Sequence, residues 1–168
     1  AARRAISIAK MAGASLLIVH NSTKEAVEAI RDARLSGQVV YGETCPQYLG
    51  VIHQDKYEEP NSGGVKYIFS PPLRTKEHSE AIWNALRLGY LQDVSSDHCT
   101  FEFNGRKLEN KDDFRKVVNG GPGIEAILGI VHNEGVNKGR ISLNQMVALV
   151  STNAAKIHGL YPQKGTIA

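Results

Sequence analysis

The sequence predicts an α/β chain built on parallel strands, and more narrowly the later, incomplete part of a (β/α)8 barrel. Three observations predict it. Short runs that read as buried strands, too brief to be helices, alternate with longer segments of helical spacing, the order that produces a parallel sheet with crossover helices. Each run ends in polar residues of the kind that face a substrate where barrel loops begin. Three such runs are present, at residues 15–20, 39–44 and 93–101, where a closed barrel needs eight.

Residues 1–11 read as a helix already under way, with Ile6 and Ala9 at helical spacing, and the first residue is Ala1 rather than Met. The chain is therefore expected to be a piece of a longer protein. After the stop signal Ala12-Gly13, the run Ser15 to His20 predicts a buried parallel strand ending in a histidine. Ser22 and Glu25 have the Ser-x-x-Glu spacing of a capping box, followed by Val27, Ala29, Ile30 and Ala33 as an apolar helix face and Gly37 as a stop. A second strand is expected over Val39 to Thr44. From Cys45 to Ser70 the pattern loosens around Pro46, Pro60 and Asn61-Ser62-Gly63-Gly64; a connection of that length is usually functional or mobile. Lys66 to Ser70 returns the chain, and Pro71-Pro72 delays the next helix.

That helix is expected over residues 75–88, with Ile82, Trp83 and Leu86 inward and Gly89 beyond its end. It feeds the organising stretch Asp93 to Phe101, read as a short strand ending in Asp97 and His98. Residues 102–116 are polar and charged and predict a surface loop with one short helical turn. Asn119-Gly120-Gly121-Pro122-Gly123 is either a plain turn before a helix or a place where backbone approaches a ligand. An apolar helix over 125–132, a helix opened by a Ser142/Gln145 capping box, and a last one over 153–158 complete the chain. All 168 residues are expected to form one partial barrel with no separate second domain.

Composition narrows the function classes. With 42% hydrophobic and 22% charged residues the chain suits an ordinary globular domain. The net charge of +3 is spread rather than clustered, which argues against nucleic acid. No apolar run is long enough to span a membrane. Two cysteines, Cys45 and Cys99, make neither a disulfide framework nor a CxxC metal site; they are expected as small buried hydrophobes in a reducing, cytoplasmic compartment.

His20 and Asp97 carry the candidate chemistry, because each ends a predicted strand and a barrel would bring both to one rim. Imidazole and carboxylate suit zinc or a similar divalent ion, and a carboxylate beside activated water can take its proton. Asp97 has a plainer reading as well, as part of a Ser-Asp-His turn that caps a strand. Two ligands fall short of the roughly three a catalytic zinc needs. His98 should point away from Asp97 and serve a structural or supporting role. His78, in the first turn of a helix, reads as a surface or capping residue. His53, His132 and His158 have no partner at ligand spacing, no Gly-x-Ser-x-Gly elbow is present, and the glycine turn lacks a phosphate loop's lysine.

Gly42-Glu43-Thr44-Cys45-Pro46-Gln47-Tyr48-Leu49, Ser70-Pro71-Pro72-Leu73-Arg74, Ser96-Asp97-His98-Cys99 and Asn119-Gly120-Gly121-Pro122 together resemble the dihydropyrimidinase and hydantoinase family of cyclic amidohydrolases. The resemblance extends through Val150 to Lys156 and the closing Lys164-Gly165-Thr166-Ile167-Ala168. It implies a metal-dependent TIM barrel that opens the cyclic amide of dihydropyrimidines or hydantoins to an N-carbamoyl amino acid, a step of pyrimidine degradation. It implies two divalent metal ions, zinc foremost, a small cyclic diamide substrate and a homotetramer. By the same resemblance His20, ending the sixth strand, is a metal ligand, and Asp97, after the eighth, both binds metal and moves the proton to the leaving nitrogen. Ser70 and Asn119 match positions whose main-chain groups bind the ring.

The resemblance also places a His-x-His pair, a carboxylated lysine, another histidine and an oxyanion-assisting tyrosine upstream of Ala1, and a closing β-sandwich segment after Ala168. The isolated chain is therefore expected to be inactive. Asn21 stands where an apolar residue is common in the family. An allantoinase-like or dihydroorotase-like ring opener is the neighbouring alternative. A non-catalytic, assembly-forming relative or truncated remnant is the other; a carboxylate kept at the rim argues against it.

Overall fold

The computed structural model describes residues 1–167; Ala168, the last residue of the closing stretch, lies outside them. Three parallel strands lie in the order β1 (Leu16–Ile18), β2 (Val40–Thr44), β3 (Asp93–Val94). Leu16 pairs with Val40, and Glu43 pairs with Asp93. Parallel neighbours require crossovers, which α2 (Lys24–Leu35) and α3 (Lys76–Leu88) supply, while α1 (Ala2–Ala12) leads into β1. Among the described residues no helix is long and apolar enough to cross a membrane.

The core lies between the sheet and α2 and α3, where Ile30, Val40, Leu49, Ile82 and Leu91 are fully buried. Along β2 the residues alternate: Val40, Gly42 and Thr44 are buried, while Tyr41 and Glu43 are half-buried on the opposite face. Gly42 has to be glycine, since a Cβ there would collide with Leu91 and stand 2.8 Å from Cδ1 of Ile30. The inward set of α3 is as the periodicity predicts, Ile82, Trp83 and Leu86, and Gly89 closes the helix in a left-handed conformation.

The strands are shorter than the stretches that predict them. β1 stops at Ile18 and β3 at Val94, so His20 and Asp97 sit on the loops beyond them rather than at the strand ends. The capping box expected from Ser22 and Glu25 does not form. Thr23 is the cap, its hydroxyl accepting from the Ala26 amide at 3.2 Å, and Ser22 is buried before it. At Ser142 the box does form, with both reciprocal bonds to Gln145. The helix it opens, α5 (Leu143–Val147), runs through a wider turn at Ala148–Thr152 directly into α6 (Asn153–Ile157), so the separate last helix is a continuation. Likewise α4 (Ile127–Ile130) begins later than predicted and extends as a wider helix over Val131–Asn137.

The excursion from Cys45 to Ser70 is ordered by three short 3-10 turns, Pro46–Tyr48, Gln54–Glu58 and Gly63–Tyr67. Trp83 fastens its start by donating to the Leu49 carbonyl at 2.9 Å, and Tyr48 donates to the Pro71 carbonyl at 2.6 Å. The Tyr57 hydroxyl accepts from the Leu73 amide at 2.7 Å. These bonds tie the excursion to α3 and to the Pro71-Pro72 turn. In the charged stretch 102–116 the turn is Phe103–Lys107, but Lys107 is 3% exposed, contrary to the surface loop predicted there.

Candidate functional site

The site gathers on the loops that leave the C-terminal ends of the three strands. His20 lies two residues past β1 with φ 40, and Asp97 three residues past β3 with φ 46. A positive φ is uncommon outside glycine and persists where surrounding contacts enforce it. For His20 those contacts are visible. Its amide donates to Oε1 of Glu43 at 3.4 Å. Next to it Asn21, 3% exposed, donates from Nδ2 to the carbonyls of Ile18 at 2.7 Å and Glu43 at 2.9 Å. The Asn21 amide also donates to Glu43, and its carbonyl accepts from the Thr44 hydroxyl, both at 2.8 Å. Asn21 thus ties the exit of β1 to the end of β2, which an apolar residue could not do.

Asp97 is exposed, and its Oδ2 accepts from Nε2 of Gln47 at 3.5 Å. The Ser-Asp-His turn is real, since Ser96 Oγ accepts from the His98 amide at 3.2 Å. His98 acts structurally, as its opposite direction suggested: Nδ1 accepts from the amides of Gly123 and Ile124, both at 3.3 Å. His98 bridges Gly121, and the Cys99 amide donates to the Gly121 carbonyl at 3.1 Å. The glycine turn is therefore docked on the Asp97 loop. A Cβ at Gly121 would strike the Phe69 ring, and one at Gly123 the Ser96 carbonyl, so glycine permits the close approach. His78 also caps, accepting through Nδ1 from the Lys24 amide at 3.0 Å at the start of α2.

Ser70 and Asn119 come from separate loops joined through backbone. The Gly120 amide donates to the Ile68 carbonyl at 3.0 Å, linking the residue after Asn119 to one two before Ser70. Ser70 is exposed and followed by a cis bond to Pro71. Two cavities flank the Pro-Pro turn. One, of about 530 Å³, is lined by His20, Asn21, Pro71 and Arg74; the other, of about 540 Å³, by Phe69, Pro72 and Asn119 among others. Ser70 and Asp97 line neither, while His20 lines the first and Asn119 the second, so these two cavities do not bring the four predicted residues together.

Three carboxylates stand at this end, and two were not singled out from sequence. Glu43 and Asp93 are paired across β2 and β3 and share a face of the sheet. Burial of Asp93, helped by the charge of Glu43, pushes its carboxyl up to about 6. The alternation in Val40 to Thr44 could have shown that Glu43 faces away from the helices; nothing local marks Asp93. Cys45 is buried as expected, and burial raises its thiol well above the usual range. Cys99 corrects the expectation, because it is exposed.

In kind, His20 and Asp97 suit a divalent metal; in number they fall short. Among the described residues no group of three His, Cys, Asp or Glu is placed to hold a metal ion.

Comparison with known proteins accounts for the motifs. No family model matches the chain. It is 53% identical to the D-hydantoinase of Geobacillus stearothermophilus over 165 residues, covering 98% of this chain and 35% of the relative. It is 46% identical to the D-hydantoinase of Rhizobium radiobacter over 168 residues, covering all of this chain and 36% of that one. The fold superposes with a TM-score of 0.98 on the crystal structure of dihydropyrimidinase from Brevibacillus agri NCHU1002, 51% identical, over 100% of this chain and 36% of that chain. The chain thus spans little more than a third of the length of these relatives. By sequence and by fold it belongs to the D-hydantoinase/dihydropyrimidinase family, of whose members it represents a segment.

Proposed function

We propose that this chain is the later barrel segment, strands six to eight, of a metal-dependent cyclic amidohydrolase that opens dihydropyrimidine or hydantoin rings to N-carbamoyl amino acids. The observation that carries the reading is the pair His20 and Asp97, both held in left-handed backbone on the loops that leave the C-terminal ends of β1 and β3, the side of such barrels that carries their chemistry.

In this reading the main-chain groups of Ser70 and Asn119 grip the planar ring, and the docking of one loop on the other fixes their spacing. Water adds to the ring carbonyl, the carboxylate of Asp97 takes its proton and passes it to the ring nitrogen, and the carbon–nitrogen bond breaks. His20 and Asp97 would supply two of the ligands of a divalent metal, which when bound would make that water more acidic and the carbonyl more electrophilic. The exposure of Asp97 and its single long contact to Gln47 leave the carboxylate free for this role. Assembly as a homotetramer in the cytoplasm belongs to the same proposal.

The test uses the complete protein expressed from its natural gene, assayed with dihydrouracil, a 5-substituted hydantoin and allantoin. Turnover of the first two with two metals per subunit by native mass spectrometry is expected, and Asp97→Asn should lower kcat by about a thousandfold or more. Preference for allantoin would move the assignment to a neighbouring ring opener. A metal-free, inactive complete protein would overturn it in favour of an assembly role.

A further inference from the structure

Lys107 belongs to no motif that carries the resemblance, and a buried lysine demands an account. It ends the Phe103–Lys107 turn, and its side chain passes under the surface to the two loops that present Ser70 and Asn119. Nζ donates to the Ile68 carbonyl at 3.1 Å and to the Val118 carbonyl at 2.9 Å. The Ile68 carbonyl accepts from the Gly120 amide as well. The ammonium also lies 6.0 Å from the centroid of the Phe69 ring, the ring against which Gly121 packs. Both hydrogen-bond partners are neutral backbone carbonyls. Burying an ammonium is expensive unless its donors are used, and here they are used to join two segments that no strand pairing joins.

We propose that Lys107 is a positioning residue for substrate binding: by bridging the Ile68 and Val118 carbonyls it sets the separation between the backbone groups of Ser70 and Asn119. The inference rests on the proposed function, in which those two residues hold the ring. Ser70 follows Ile68 by two residues and Asn119 follows Val118 by one, so little chain lies between each clamped carbonyl and the group it places. Lys107 touches neither the ring nor the proton path; it acts through the loops.

Lys107→Met keeps the length and apolar stem of the side chain and removes its donors. In the complete protein it should raise KM for dihydrouracil by about tenfold or more while leaving kcat within about twofold and metal content unchanged. Hydrogen exchange followed by mass spectrometry should show the amides of residues 117–121 exchanging about tenfold faster than in the parent protein. Lys107→Gln, too short to span both carbonyls, carries the same expectations if the Met variant does not fold. A folded variant with unchanged KM overturns the proposal, whether or not exchange accelerates. So does a parallel fall of kcat, metal content and thermal stability, which would mark a general structural role. If the parent protein opens neither dihydrouracil nor a hydantoin, the functional reading fails on its own, and the exchange measurement alone then reads the clamp.

Discussion

Replacing Asp93 with asparagine should stabilise the chain, and only at neutral to alkaline pH. The Asp93 carboxyl is 5% exposed and sits beside Glu43 across the β2–β3 pair, so its charged form is penalised by desolvation first and by its neighbour's charge second. Its folded-state value of about 6 lies above the ordinary 3.8. A carboxyl whose value rises on folding stabilises the fold only while it is protonated. That contribution is complete below about pH 4 and is lost as pH rises through 6. The displacement of about two pH units corresponds to about 3 kcal/mol at 1.36 kcal/mol per unit. Asparagine removes the ionisation but keeps an amide that must find partners, which leaves a net gain of about 2 kcal/mol at pH 8 and almost none at pH 4. Urea unfolding of the chain at the two pH values, followed through the fluorescence of Trp83, its single tryptophan, measures both. Because the charge of Glu43 is the smaller cause of the raised Asp93 value, Glu43→Gln should recover the smaller part of the same gain. An Asp93→Asn chain whose stability depends on pH as steeply as the parent's would refute the reasoning.

Asn21→Ala removes two side-chain hydrogen bonds, at 2.7 and 2.9 Å, and leaves the Ile18 carbonyl short of a partner; urea unfolding should show a loss of about 3 kcal/mol, and a loss below about 1 kcal/mol would mean that the loop closes without this side chain. The 168-residue chain by itself should open no dihydrouracil and retain zinc poorly on dialysis, since His20 and Asp97 are two ligands where about three are needed; turnover above that of the metal in buffer would contradict this.

What the sequence made legible were features fixed by neighbours along the chain. The Ser142/Gln145 box, the inward face of α3 and the left-handed stop at Gly89 each depend on spacing within one turn or two. Strand length was less legible, because it depends on a partner: Leu16 to Val19 is apolar throughout and predicts a strand ending in His20, yet only Leu16–Ile18 pair with β2. The same limit hid the position of Asp97, which lies three residues past the last paired residue of β3. Thr23 displaced Ser22 as cap by a shift of one residue, within the usual uncertainty of helix ends. Least legible were buried polar groups whose partners come from far along the chain. Lys107 lies in a stretch whose charge reads as solvated, and its two acceptors are 39 and 11 residues away. Asp93 opens a stretch read as a short buried strand and meets Glu43 only through the sheet.

The left-handed backbone at His20 and Asp97 has a bearing on any effort to make this protein hardier. A design procedure that scores each position for comfort would choose glycine at both, since the side chains present pay about 1 kcal/mol apiece in local sterics that glycine escapes. Accepting those suggestions would yield a sturdier molecule stripped of an imidazole and a carboxylate at the positions where we place its chemistry. A library screened for heat tolerance alone would drift the same way, so selection at these two sites has to be coupled to turnover.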